Sequence, residues 1–233
     1  IQKFYNLKYL SLDSNLISSI PMWLSSFEKL QEIRLNKNCL TIFPESITFL
    51  EQLVTLELRD NQLTIIPNSI GRLYNLSKLD VSGNKISLIE NGFFKLSNLK
   101  SVRFRNNKLD SIPHQINSLQ NLEVMCFARN NLTDVPNEVY DLPNLTYLSL
   151  WQNNIKSISD SISNLKKLEW LGIFSNQLKS FPKQLFSLNN IKYINAGDNY
   201  YGKEFLINVN FMSQSYPHVK VFVENHQNVN FFH

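Results

Sequence analysis

Hydrophobic residues follow two periods within a unit of 23 residues. In the stretch Leu53 to Leu76, numbered as positions 1 to 24, apolar residues fall at positions 1, 4, 6, 11, 14, 18 and 21, with Asn at 9 and Pro at 15. Leu56 and Leu58 alternate as in a strand, whereas Ile70 and Leu73 are three apart, as in a tight helical turn. The pattern predicts a short strand followed by a turn. One such unit cannot bury its apolar side alone, so it needs stacked copies.

The asparagine at position 9 marks those copies. It recurs nine times at intervals of 23, at Asn15, Asn38, Asn61, Asn84, Asn107, Asn130, Asn153, Asn176 and Asn199. The pattern LxxLxLxxNxLxxIPxxIxxLxxL resembles the leucine-rich-repeat family in its 23-residue form over residues 1 to about 204. The resemblance implies an α/β solenoid of about nine repeats, curved, with a parallel sheet on the concave face and short 3-10 or irregular turns on the convex face.

The asparagine column is predicted to be structural rather than part of a binding site. A short amide offers two donors and an acceptor to main-chain groups that would otherwise be buried unpaired. The glycosylation sequons at Asn75, Asn131 and Asn144 arise from the repeat itself, so they say little about secretion.

Both ends of the chain depart from the repeat. Ile1 and Phe4 match positions 18 and 21 of an incomplete unit, so the chain is expected to start in mid-repeat, after a missing segment or with a minimal cap. At the other end Glu204 stands where an apolar residue belongs. We predict that residues 205–233 form a C-terminal cap of the same domain, a helical segment and then a short strand near 219–223.

Composition limits the class of protein. The formal net charge is +4 and no run of 18 apolar residues occurs, so we expect no membrane span. Cys39 and Cys126 lie nearly four repeats apart, about 19 Å at strand spacing, too far for a disulfide. Many extracellular eukaryotic members of the resembled family have disulfide-bonded caps. Their absence favours an intracellular eukaryotic or a bacterial protein.

Signatures of catalysis are missing from the sequence. It has no GxxxxGK, GxGxxG, HExxH or GxSxG, and six glycines provide no phosphate-binding loop. We therefore predict no enzyme, catalytic residue or cofactor. His218, His226 and His233 follow no fixed ligand spacing, so no metal site is predicted, although the sequence leaves metal binding by these histidines open.

The inner face of the predicted sheet is where a partner would bind, because positions 3, 5, 7 and 8 point away from the core. In its first half these positions are charged, and Arg34 beside Glu57 and Asp80 beside Arg103 are predicted to pair across neighbouring strands. The whole face has seven cations against six anions. Nucleic acid requires a clustered basic surface, so no nucleic-acid partner is expected.

The second half of the inner face is aromatic. Three successive predicted strands carry Tyr147, Trp151, Trp170, Phe174 and Tyr193. Contiguous solvent-facing aromatics are unusual on a monomer, and Trp and Tyr dominate many interfaces, so these residues are predicted to bind a partner. The alternative is a packed ladder that only shields the sheet.

Two further predictions concern the same half. A polar rim is expected from three arginines: Arg103, Arg105 and Arg129. Cys126, at position 5 of the inner face, is expected to be accessible to thiol reagents, and Cys39 less so.

These observations favour a protein-binding module, expected to be monomeric. The short uninterrupted repeats and the Asn-, Lys- and Ile-rich composition are most similar to bacterial, spirochaete-type leucine-rich-repeat proteins, which implies export and contact with host proteins such as cell-surface receptors. The alternative is a cytosolic scaffold resembling eukaryotic Ras-pathway or phosphatase-regulating leucine-rich proteins. Location thus stays open, with secretion or the cell surface favoured.

Overall fold

A computed structural model describes residues 6–223, except the side chain of Met212. Ten short strands form one parallel sheet: β1 Tyr9–Ser11, β2 Glu32–Arg34, β3 Thr55–Glu57, β5 Lys78–Asp80, β7 Ser101–Arg103, β8 Val124–Cys126, β9 Tyr147–Ser149, β10 Trp170–Gly172, β11 Tyr193–Asn195 and β12 Lys220–Phe222. A separate two-stranded sheet, β4 Ile65–Ile66 with β6 Leu88–Ile89, was not predicted. The parallel-sheet solenoid confirms the predicted fold.

The register follows from the 23-residue spacing. From β1 to β11 each residue pairs with its equivalent one unit later, as Leu10 does with Ile33 and Leu171 with Ile194. The predicted start in mid-repeat, based on Ile1 and Phe4, lies outside the described residues.

Short 3-10 helices form the outer turns. Within residues 6–223 they cover Met22–Ser26, Glu45–Phe49, Asn68–Arg72, Asn91–Lys95, His114–Ser118, Asn137–Asp141, Asp160–Asn164 and Lys183–Ser187. Each follows position 15, where the backbone is extended, as at Pro67 with φ −79° and ψ 162°. Proline suits this position because it fixes φ near that value. Where Glu90 replaces it, the carboxylate accepts the Asn68 N–H at 2.6 Å, a bond that proline could not make.

The core lies between the sheet and these turns and is filled by the apolar columns. Leu53, Leu56, Leu58, Ile70 and Leu73 are all fully buried. The core is continuous along the chain because each unit covers the apolar side of the next.

The position-9 asparagines connect neighbouring units, as predicted. In Asn130 the Oδ1 atom accepts the Leu109 N–H at 3.0 Å, and Nδ2 donates to the carbonyls of Phe104, Phe127 and Ala128 at 2.9, 3.0 and 3.2 Å. The same arrangement occurs in each unit from Asn38 to Asn199.

A second asparagine ladder, at position 23, was not predicted. Asn75 donates to the Glu51 carbonyl at 2.9 Å and Asn144 to the Gln120 carbonyl at 2.9 Å. Asn98, Asn121 and Asn190 donate in the same way. Two of the three sequon asparagines therefore already use their amides to join units.

Position 8 has a left-handed backbone in every unit. Gly83 has φ +70°, and the non-glycine residues there have φ between +51° and +58°: Ser14, Lys37, Asp60, Asn106, Arg129, Gln152, Ser175 and Asp198. This conformation turns the chain out of each strand. It is a property of the whole scaffold and does not single out Arg129 as a strained site residue.

The C-terminal segment changes the spacing. Helix α1, Lys203–Ser215, replaces a 3-10 turn, so β12 pairs with β11 at an offset of 27 residues, Tyr193 facing Lys220. The helix starts two residues before the predicted boundary at 205, and β12 lies within the predicted 219–223. The function of this segment as a cap stays a prediction, and residues 224–233, with His226 and His233, lie outside the described part.

Candidate concave binding surface

Three ion pairs form on the first half of the concave face, but they are not the predicted pairs. Arg34 Nε lies 2.6 Å from Glu32 Oε1, two residues away on its own strand, rather than pairing with Glu57. Glu57 instead lies 3.8 Å from Lys78 Nζ. Successive strands place several carboxylates within reach of each cation, so the shortest local approach decides the pair. This half leaves little unbalanced charge for a partner.

Asp80 likewise does not take the predicted partner. Its Oδ2 lies 4.0 Å from Arg59 Nε, and Asp80 is buried, so its carboxylate is used within the first half. Arg103 therefore does not pair with Asp80, and its charge acts on Tyr147 in the aromatic half.

In the second half, Tyr147 and Trp170 form a stacked pair. Their ring centroids are 4.3 Å apart and the planes differ by 6°. This separation is close to the spacing of about 4.8 Å between neighbouring strands, so the rings stand on the sheet side by side and direct their edges outward. The inner edge of the indole occupies the space above Gly172, where an added Cβ would overlap Trp170 Cη2. Both aromatics are half-buried, which agrees in part with the alternative of a packed ladder.

Trp151 makes different contacts. The guanidinium carbons of Arg105 and Arg129 lie over its ring, 4.9 and 5.0 Å from the centroid. Arg129 Nε also donates to Gln152 Oε1 at 2.5 Å. Burial, with a smaller contribution from the charge of Arg105, lowers the pKa of Arg129 below its usual value. The aromatic ring thus holds two like charges close together.

Cys126 is not accessible, so the prediction of a reactive thiol is wrong. It belongs to the concave face but is only 6% exposed, and burial raises the pKa of its thiol. Tyr147 stands on the adjacent strand, and burial raises the pKa of its hydroxyl, an effect opposed by the nearby charges of Arg103 and Arg105. The side chains of this half pack closely over the small residues at position 5.

The remaining candidates lie around this centre. Tyr193 is 40% exposed, and Lys220 Nζ of β12 lies 5.7 Å from its ring centroid. Phe174 is half-buried. The structure therefore brings Trp151 together with Arg105 and Arg129, and Tyr147 with Trp170.

Three residues around these groups were not predicted from the sequence to belong to the surface: Gly172, Gln152 and Lys220. A small residue at position 5 beside an aromatic at position 3 was a readable signal for Gly172. Lys220 carried none, because the 27-residue offset that places it beside Tyr193 breaks the period.

The aromatic half of the concave face differs from the first half in its ionic contacts. Among residues 6–223, none of Arg103, Arg105 and Arg129 lies within 4.0 Å of a carboxylate. The arrangement offers aromatic edges and open guanidinium donors. It can bind a partner with both apolar and acidic groups.

Sequence comparisons place repeats along most of the chain. A family profile described as leucine-rich repeat region matches residues 91–204, one described as leucine rich repeat matches residues 5–63, and a third, for the same repeat, matches 75–96. No curated protein sequence matches the chain. No helix in the described part is long and apolar enough to cross a membrane.

Solved structures share the architecture. A leucine-rich-repeat protein of Leptospira interrogans is 25% identical, with a TM-score of 0.76 over 92% of this chain and 60% of that one. An internalin of Listeria monocytogenes, at 21% identity and a TM-score of 0.80, covers 96% of this chain and 62% of its own. The plant peptide hormone receptor RGFR1, solved in complex with RGF2, is 26% identical with a TM-score of 0.71, over 83% of this chain and 35% of that one. The chain thus spans less than two thirds of the length of each.

Proposed function

Because the chain belongs to the leucine-rich-repeat family, we propose that it is a non-catalytic module that binds a partner protein on the second half of its concave face. The observation that carries the proposal is the contrast between the two halves of that face. Three cations of the first half, Arg34, Arg59 and Lys78, each lie within 4.0 Å of a carboxylate. The second half presents aromatic residues and arginines that, among residues 6–223, have no carboxylate within 4.0 Å.

The aromatic residues suit a binding centre. Trp, Tyr and Arg are the residues that most often dominate protein interfaces, and they do so in clusters. Here Trp151 is already held by two guanidinium groups, and Trp170 by Tyr147. Such pre-ordered side chains lose little conformational entropy on binding. The known partner of a structural neighbour, RGF2 bound by RGFR1, supports the general class of function.

The proposal can be tested without knowing the natural partner. Peptides are selected from a displayed random library on the parent protein, and their affinities are measured for the Trp151→Ala/Trp170→Ala variant. We expect a loss of at least about 2 kcal/mol, or roughly 30-fold, typical of hot spots. The side chains that lie over the Trp151 ring are exposed arginines, so replacing Trp151 should leave the melting temperature nearly unchanged. Trp170→Ala, which uncovers Gly172, should lower it slightly.

Trp23→Ala is the matched control, because Trp23 is 52% exposed and lies on an outer 3-10 helix. Selected peptides should bind this variant as they bind the parent. Unchanged affinity for the concave double variant, together with a large fall in its melting temperature, would assign the aromatic residues to stability. The search would then move to Arg34, Arg59 and Arg103.

As for biological setting, we propose that the chain belongs to an exported bacterial protein. This protein is a monomer and contacts host proteins such as cell-surface receptors. The support is the uninterrupted 23-residue repeat and the similarity to the Leptospira protein. The second candidate is a cytosolic scaffold for signalling proteins, because eukaryotic leucine-rich proteins of that kind share the IPxxIxxLxxL segment with this chain. Sequencing the gene upstream of Ile1 separates the two, because an export signal supports the first and a cytosolic start supports the second. Light scattering measures the molar mass in solution and so tests whether the protein is a monomer.

A further inference from the structure

Charge balance on the concave face indicates what the partner presents. Arg59 and Arg105 both occupy position 7 of their repeats. Arg59 lies 4.0 Å from the Asp80 carboxylate, whereas Arg105 lies over Trp151 beside a second guanidinium, Arg129. The same position thus has a counter-charge in one half and a like charge in the other.

Open donors accompany this unbalanced charge. A guanidinium has five N–H donors and no acceptor. Among residues 6–223, the hydrogen bond of Arg129 Nε to Gln152 is the one side-chain bond made by the guanidinium groups of Arg103, Arg105 and Arg129. The Arg129 guanidinium is partly desolvated, and guanidiniums held over a ring are well suited to bidentate binding of a carboxylate.

The neighbouring aromatic pair has the same preference. Tyr147 and Trp170 stack face to face, so their edges rather than their faces meet a partner. The edge of an aromatic ring carries the positive end of its quadrupole. Arg103 and Arg105 add positive potential at the Tyr147 hydroxyl. The surface from Arg103 to Trp170 is therefore electropositive although the face as a whole is nearly neutral.

We propose that the partner segment carries an Asp or Glu side chain beside an aromatic or apolar residue, with the carboxylate bound by Arg105 and Arg129 and its neighbour packed against Trp151 and the Tyr147–Trp170 pair. This inference rests on the proposed binding function and deepens it by specifying the partner's chemistry. It commits to an acidic protein segment rather than to a nucleic acid.

Defined peptides test it. Three peptides with blocked termini share the sequence Gly-Ser-Ser-Phe-X-X-Ser-Gly, in which X is Glu, Gln or Lys. Binding is measured by NMR from the indole Nε1–H signals of Trp151 and Trp170, which the arginine variants retain. The Glu peptide should bind at least tenfold more tightly than the Gln peptide. That difference should shrink as salt rises, because a higher ionic strength shortens the Debye length.

Variants identify the residues responsible. In Arg105→Gln/Arg129→Gln the preference for Glu should disappear at an unchanged melting temperature. In Arg59→Gln, the control at the same repeat position, it should persist. The inference is overturned if Gln or Lys peptides bind as tightly as Glu, if none binds at millimolar concentration, if the double variant keeps the preference, or if single-stranded DNA binds as well as the Glu peptide.

Failure of this inference differs from failure of the proposed function. If library-selected peptides lose affinity on Trp151→Ala/Trp170→Ala but contain no excess of acidic residues, the concave binding surface stands and the acidic partner falls. If the selected peptides bind the Trp151→Ala/Trp170→Ala variant as tightly as they bind the parent, both the proposed function and the acidic partner are refuted.

Discussion

Replacing Asn130 with alanine should weaken the contact between two repeats in a way that the hydrogen bonds allow to be estimated. Asn130 is 7% exposed and joins the turn of one unit to the strand end of the unit before it. Alanine removes the acceptor of the Leu109 N–H and the donors to three carbonyls. These losses are unequal.

The carbonyls keep other partners. Phe104 O still accepts from Asn107 Nδ2 at 3.0 Å, Phe127 O from Asn153 Nδ2 at 3.1 Å, and Ala128 O from the Asn106 N–H at 2.9 Å. Within the described part of the chain, the Leu109 N–H has no second acceptor. One stranded buried donor costs about 1 to 3 kcal/mol, which for a chain of this size lowers the melting temperature by roughly 2 to 4 °C per kcal/mol.

Urea denaturation followed by circular dichroism measures the loss, and amide hydrogen exchange of Leu109 locates it. Asn15→Ala is the control, because Asn15 is exposed and, among residues 6–223, donates only to the Leu12 and Asp13 carbonyls of its own turn. Asn130→Asp should cost more than Asn130→Ala, since it places a carboxylate oxygen against the carbonyls. If Asn130→Ala and Asn15→Ala unfold within about 0.5 kcal/mol of each other, the ladder is not a stabilising element.

Two further predictions concern the aromatic half. Cys126 should react with a thiol reagent more slowly than the half-buried Cys39, because burial raises the pKa of the Cys126 thiol and blocks access to it; faster labelling of Cys126 in the native protein would contradict the packing described. Gly172→Ala should push the Trp170 indole outward and increase its quenching by iodide, at a cost of about 1 kcal/mol. Gly202→Ala, where an added Cβ meets nothing within 4 Å, should change neither quenching nor stability.

The scaffold was predictable because its constraints are periodic. Once Asn107 and Asn130 are known to be 23 residues apart, strand register, inward leucines and the main-chain role of the amide follow together. Each unit meets a copy of itself, so one correct assignment extends to all from β1 to β11. The spacing of Lys220 from Tyr193 did not follow, because helix α1 lengthens that unit.

The site was less predictable because the exposure and contacts of concave side chains depend on their particular neighbours rather than on the repeat period. Cys126 was assigned to the correct face, yet its exposure depended on how the adjacent aromatic packs. Arg34 had carboxylates available along its strand and across it, and position alone does not decide between Glu32 and Glu57. The grouping of Trp151 with the arginines was expected as a surface, but the stacking of Arg105 and Arg129 over one ring requires coordinates.

The contacts of Trp151 span three consecutive units, since Arg105, Arg129 and Trp151 each belong to a different one. An in-frame deletion of residues 122–144 would preserve the hydrogen-bonding positions of both asparagine ladders, because the unit before it would take its place. It would nevertheless bring Asn106 to the location of Arg129 and move Arg105 one strand closer to Trp151. Recombination between repeats can therefore exchange the binding surface while the scaffold is inherited unchanged, so lineages of this fold can diversify their partners by whole-unit loss and gain as well as by point substitution.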